Sequence, residues 1–108
     1  MTERDVWMIE IKEIGGIEEF SEVQEKERKL YKVSEKVFLV ENKNTIEVRC
    51  DFKLGKLLRE KYESVMESRY FGRGGIEIVM SGQLEENEVF DLIRLSYNMT
   101  KEIQDDRR

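Results

Sequence analysis

Five cations, Lys32, Lys43, Arg49, Arg69 and Arg73, are the residues whose types and spacing could do chemistry. Lys and Arg neutralise phosphates, and the Arg fork binds them two bonds at a time. Tyr31, Tyr70 and Phe71 lie beside them in the sequence and offer rings for base stacking. Strand residues on a wet face project at every second position. Lys32 and Arg49 are therefore expected on one basic surface, with Lys43 and Arg73 at hairpin tips on either side, and Arg28 and Lys29 add to the excess. The chemistry this implies is nucleic-acid binding. Against it, Glu35, Glu41 and Glu47 are interleaved with the same cations, and the chain carries a net charge of −5.

Catalytic arrangements are harder to build. The 108 residues contain no His and a single Cys, which leaves no Ser-His or Cys-His pair, no imidazole metal site and no thiolate cluster. Glu18-Glu19 and Glu85-Glu86 are adjacent carboxylates. Neighbours on a helix point about 100° apart, so these read as solvated helix starts. Gly72-Arg73-Gly74-Gly75 could bring backbone N–H groups to an anion, but it matches no phosphate-loop spacing and leads into a strand-like run, as a hairpin tip would. The expectation is a protein that is not an enzyme and holds no metal or cofactor.

Charge is unevenly spread. Residues 1–27 hold three Lys/Arg against nine Asp/Glu, residues 28–73 twelve against seven, and residues 74–108 four against eight. The length suits a single domain over 1–108. No apolar run approaches the ~20 residues of a membrane span. The start, Met-Thr-Glu-Arg-Asp, is acidic where a signal peptide would be basic, so a cytoplasmic location is expected. Cys50, in an apolar-alternating run, reads as a buried thiol.

The elements that must position the cations centre on Arg28–Asp51. Leu30–Val33, Lys36–Glu41 and Thr45–Cys50 read as strands, joined by turns at Ser34-Glu35 and Asn42-Lys43-Asn44. Val37–Val40 is continuously apolar, as a central strand would be, whereas Ile46, Val48 and Cys50 alternate with polar residues. Residues 3–14 carry both a helical stripe (Trp7, Ile11, Ile14) and strand-like alternation; Thr2 as cap and Gly15-Gly16 as stop favour the helix. Ile17–Glu27 is Glu-rich and reads as a loop or short helix covering a sheet edge. Asp51 caps a helix with Leu54, Leu57, Leu58 and Tyr62 on one stripe, with Gly55 as its blemish. Arg69–Phe71 and Ile76–Met80 read as strands across a glycine turn, and Glu85–Gln104 as the longest helix, with Val89, Leu92, Ile93, Met99 and Ile103 inward. The order α-β-β-β-α-β-β-α, rich in hairpins, implies an α+β two-layer sandwich, an antiparallel sheet with helices on one face.

Tyr31-Lys-Val-Ser-Glu-Lys-Val-Phe38, Val48-Arg-Cys-Asp51, Leu58-Arg-Glu-Lys-Tyr62 and Leu92-Ile-Arg-Leu-Ser-Tyr97 resemble, in order and spacing, the MmcQ/YjbR-like proteins, small bacterial domains with a CyaY-like fold. The resemblance runs from about residue 5 to residue 104. It implies the same α+β fold and a DNA-binding role. The chain departs from the family pattern at Gly74-Gly75-Ile76, where members place a basic or polar turn followed by His-Trp or a similar aromatic.

Two partner classes therefore stay open. One is DNA, bound through a basic sheet and hairpin surface. The other is a protein partner or second copy, docked on an exposed sheet face presenting Phe38, Val40 or Tyr31.

Overall fold

In the computed structural model, which describes residues 10–80 and 82–103, six strands form one antiparallel sheet. They are β1 (Ser21–Glu25), β2 (Arg28–Val33), β3 (Lys36–Glu41), β4 (Thr45–Arg49), β5 (Val65–Ser68) and β6 (Gly72–Val79), in the spatial order β1-β2-β3-β4-β6-β5. Two α-helices, α1 (Phe52–Lys61) and α2 (Glu86–Lys101), pack on the same face, α1 over β5 and β6 and α2 over β3 and β4. The fold is the α+β two-layer sandwich that the patterning implies.

The three central strands fall where alternation and turn chemistry place them. Val33 pairs with Lys36, so Ser34 and Glu35 form a two-residue turn, and both adopt the left-handed conformation (φ +55° and +65°) that such a turn requires. A bulge in the β2–β3 ladder lets Phe38 and Leu39 both turn towards the helices. There they join Tyr31, Ile46, Val48, Ile76, Ile78, Val89, Ile93 and Tyr97 in the main core, with Phe38 edge-on to Tyr97 at 5.0 Å.

Three elements differ from the sequence reading. Residues 21–25 are no loop but a sixth strand, β1, exposed along its whole length. The expected first helix lies mostly outside the described residues, and its described part is a single 3₁₀ turn, Ile11–Glu13. The second hairpin turns at Arg69–Phe71, which puts Gly72–Gly75 inside β6. Gly75 is there because space demands it: a Cβ would lie 2.5 Å from the Val48 carbonyl oxygen and 2.7 Å from Phe71 Cβ.

Asp51 caps α1 as expected, its carboxylate accepting from the backbone N–H of Lys53 and Leu54. Leu57 is not on the packed stripe; it is 63% exposed, roughly a quarter-turn away from Leu58. Gly55 is no blemish: it is buried and lets α1 approach until a Cβ would lie 3.3 Å from Ile76. Along α2 the buried stripe is Val89, Ile93, Ser96, Tyr97 and Thr100, while Ile103 lies past the helix end and is exposed. Among the described residues no helix is long and apolar enough to cross a membrane.

Candidate nucleic-acid interface

The helix-free face of the sheet carries the polar groups. Alternation from the ladder partners puts Arg28, Leu30 and Lys32 of β2, Val37 and Val40 of β3, and Thr45, Glu47 and Arg49 of β4 on it, with Gly75 and Glu77 of β6. The Arg69–Phe71 turn folds back over this face. Phe71 covers a second small core of Leu30, Val37 and Val40, in the room that Gly75 leaves.

A carboxylate holds the turn down. Glu47, 2% exposed, accepts from Ser68 Oγ at 2.7 Å, from the Tyr70 backbone N–H at 2.7 Å and from Asn42 Nδ2 at 2.8 Å. Burial pushes its carboxyl pKa up. The hydrogen bonds from Tyr70, Asn42 and Ser68, with the charge of Arg69, outweigh that and hold it below the usual carboxylate range. Next to it, Glu77 takes a two-pronged pair from Arg69 (3.0 and 2.7 Å) and a hydrogen bond from Thr45 Oγ1 at 2.7 Å. Glu77 in turn holds the Arg69 guanidinium above its ordinary pKa. Among the described residues, every buried side-chain N and O atom has a partner.

Of the expected cations, the open face gathers Lys32, Arg49 and Arg69, with Lys43 at its rim in the β3–β4 turn. They do not form an uninterrupted basic strip. Arg69 is engaged by Glu77. Arg49 donates from Nε to the Val37 carbonyl and lies over the Phe71 ring at 4.9 Å; burial pulls its pKa down. Lys32 and Lys43 make no ion pair among the described residues. Arg73 is no hairpin tip. It stacks over Phe52 at 5.4 Å in a groove between α1 and β5, on the helix side of the sheet.

The aromatic residues sort as clearly. Tyr31 is buried in the main core and its hydroxyl donates to Glu41 at 2.8 Å; burial and that carboxylate push its pKa up. Phe71 is half-buried under Arg49. Tyr70 alone of the three presents an exposed ring, 39% accessible, with the Arg28 guanidinium 5.3 Å from its centre.

Around Tyr70 lies an open groove of about 1070 Å³, lined by residues of the β1–β2 turn, the β3–β4 turn and the Arg69–Phe71 turn. Its cations are Lys26, Arg28, Lys43 and Arg69; its carboxylates are Glu25, Glu27 and Glu47, of which Glu25 is already paired with Arg28 at 2.9 Å. The sequence reading missed Lys26, because it falls in a segment read as a loop, and missed Glu47 as the group that fixes the turn. Among the described residues no group of three or more His, Cys, Asp or Glu side chains is placed to hold a metal ion. The Cys50 thiol is buried and its pKa raised by burial to about 11, which keeps it protonated and unreactive at neutral pH.

Solved structures share this fold, and two illustrate it. One is protein DR2400 of Deinococcus radiodurans, of domain family DUF419, which superposes with a TM-score of 0.75 at 13% identity over 85% of this chain and 76% of that one. The other is a structural-genomics target from Pseudomonas syringae, with a TM-score of 0.69 at 15% identity over 92% of this chain and 99% of that one. At such identities the likeness establishes the fold alone. No family model matches the sequence, and no curated protein does.

Proposed function

We propose that this chain is a DNA-binding module of MmcQ/YjbR type that holds an unpaired strand in the open-face groove, with a base stacked on Tyr70 and phosphates met by Lys26, Lys43 and Arg69. The observation that carries the reading is the convergence of cations from three separate turns on one exposed aromatic ring. A single ring flanked by cations suits single-stranded nucleic acid, where stacking is sequence-tolerant and worth about 1–3 kcal/mol per base. The acidic total of the chain slows long-range capture; contacts inside the groove act over distances shorter than the ~8 Å screening length of physiological salt. The sheet-face docking site for a protein has less support. Phe38, Val40 and Tyr31 are buried, and the exposed Val23 and Met66 lie at opposite edges of the sheet.

The test is a fluorescence-anisotropy titration of a labelled single-stranded oligonucleotide at two salt concentrations. Tyr70→Ala should weaken binding about 5- to 150-fold. Lys43→Ala should lower the log–log salt slope by about 0.7. Arg73→Ala, on the helix side, should bind like the parent. No binding at low salt, or binding indifferent to Tyr70→Ala and Lys43→Ala, refutes the assignment.

A further inference from the structure

The two ends of the sheet carry opposite charge. At one edge, β1 is exposed along its whole length and, among the described residues, its outer backbone groups pair with no other strand. The segment 17–27 that forms this edge holds Glu18, Glu19, Glu22, Glu25 and Glu27 against Lys26 alone, with Arg28, Lys29 and Lys32 on the adjoining β2. Glu22 and Glu25 are paired with Lys29 and Arg28; Glu18, Glu19 and Glu27 make no ion pair among the described residues. Val23 is exposed in the middle of the strand.

At the other end, α1 packs on β5 and β6 and turns a basic face outward. Its ten residues hold Lys53, Lys56, Arg59 and Lys61 against Glu60 alone, which pairs with Lys56 at 3.8 Å, and Arg73 joins them over Phe52. Two apolar side chains stand among these cations: Phe52 is 46% exposed and Leu57, at 63%, is the most exposed large apolar residue described. An apolar knob ringed by cations fits an acidic surface with an apolar spot. Nothing in the open-face groove uses this helix.

We infer that copies of this chain associate head to tail, the basic α1 face of one seating on the acidic β1 edge of the next. The complementary surface is present on the same chain, at the far end of the same sheet, and Leu57 and Phe52 would meet Val23 within it. Because the two patches differ, the contact is heterologous. It extends from copy to copy and does not close into a two-fold pair. Helix-on-edge packing would also cover the open ladder of β1, a recurrent way of protecting an exposed edge strand.

Sedimentation velocity across a concentration series tests this. At low ionic strength the weight-average mass should climb continuously above the 12.9 kDa of one chain. At about 1 M salt, where the screening length is near 3 Å, it should fall back to one chain. Lys53→Glu/Lys56→Glu should be monomeric, as should Glu18→Lys/Glu19→Lys, and a 1:1 mixture of the two should associate again because each supplies the end the other lost. Leu57→Asp, at an exposed site, should also be monomeric. A parent that stays monomeric at low salt overturns the inference, whether or not α1 captures anionic vesicles or nucleic acid instead. Association that survives all three variants, or monomeric variants whose mixture fails to associate, overturns it equally.

Discussion

Replacing Glu47 by Gln tests the group on which the geometry of the open face depends. In the parent, Oε1 accepts from Ser68 Oγ and the Tyr70 N–H while Oε2 accepts from Asn42 Nδ2. A Gln amide keeps the first oxygen but turns an NH₂ group towards the Asn42 NH₂. Asn42 cannot simply flip, because its Nδ2 also donates to Thr45 Oγ1, whose own proton goes to Glu77. One charge-assisted hydrogen bond is lost outright and two become neutral. At about 1.5–3 kcal/mol for a bond to a charged group, against about 1 for a neutral one, the lost and weakened bonds come to about 2.5–7 kcal/mol, and the smaller burial cost of a neutral amide offsets part of this, so urea unfolding at pH 7 should show a loss of at least about 2 kcal/mol. The pH dependence adds a sign. A carboxyl whose pKa is lower folded than unfolded contributes stability that is present above the unfolded value, about 4.3, and is lost as pH falls through the folded value. Parent and Glu47→Gln curves should therefore converge on acidification below about pH 4. Equal stability at pH 7, or a gap that stays constant down to acid pH, would refute the claim that an ionised Glu47 fixes the turn.

Two further substitutions probe the packing around that turn. Gly75→Ala drives a methyl into the Val48 carbonyl and Phe71; it should cost about 2–4 kcal/mol by chemical denaturation, lift Phe71 off the small core and raise its solvent exposure. Ser96→Ala removes the hydroxyl that donates to the Phe38 carbonyl at 2.6 Å and accepts from the Arg49 N–H at 2.8 Å. It should cost about 1–3 kcal/mol, the penalty of leaving a buried backbone group without its partner, and should speed amide exchange at Arg49.

The legible part of the fold was the part with a buried side and a wet side. Ile46, Val48 and Cys50 alternate because β4 has helices over one face, and that pattern survives in a single sequence. β1 has no such pattern: Ser21–Glu25 is exposed on every side, and nothing in its residue types separates an edge strand from a loop. Gly72–Gly75 misled for a related reason. Glycine reads as a turn when only local conformation is considered, yet Gly75 answers to Phe71 and Val48, contacts that exist only after folding. For the same reason Glu47 read as a charge diluting a basic strip. Its role depends on donors at positions 42, 68 and 70, which no spacing rule connects. The cations of α1 were legible as charge, four against one in ten residues, but the exposure of Leu57 among them exists only once the helix is docked.

The polar network on the open face makes sense as positioning. Holding a three-residue turn against a sheet needs no carboxylate; Phe71 over Leu30, Val37 and Val40 already supplies apolar contact, and buried carboxylates are costly unless every lone pair is met. Here they are met: Glu47 and Glu77 draw Asn42 and Thr45 from one stretch and Ser68, Arg69 and Tyr70 from another into one connected set. The consequence is that the Tyr70 backbone and the Arg69 guanidinium are oriented before any ligand arrives, so binding loses less conformational freedom than it would with loose side chains. Phe71 packing alone would hold the turn close without fixing the direction of Tyr70. In the proposed interface that direction decides whether a base can stack, which is why Glu47→Gln should weaken oligonucleotide binding although Glu47, as a carboxylate, repels the phosphates themselves.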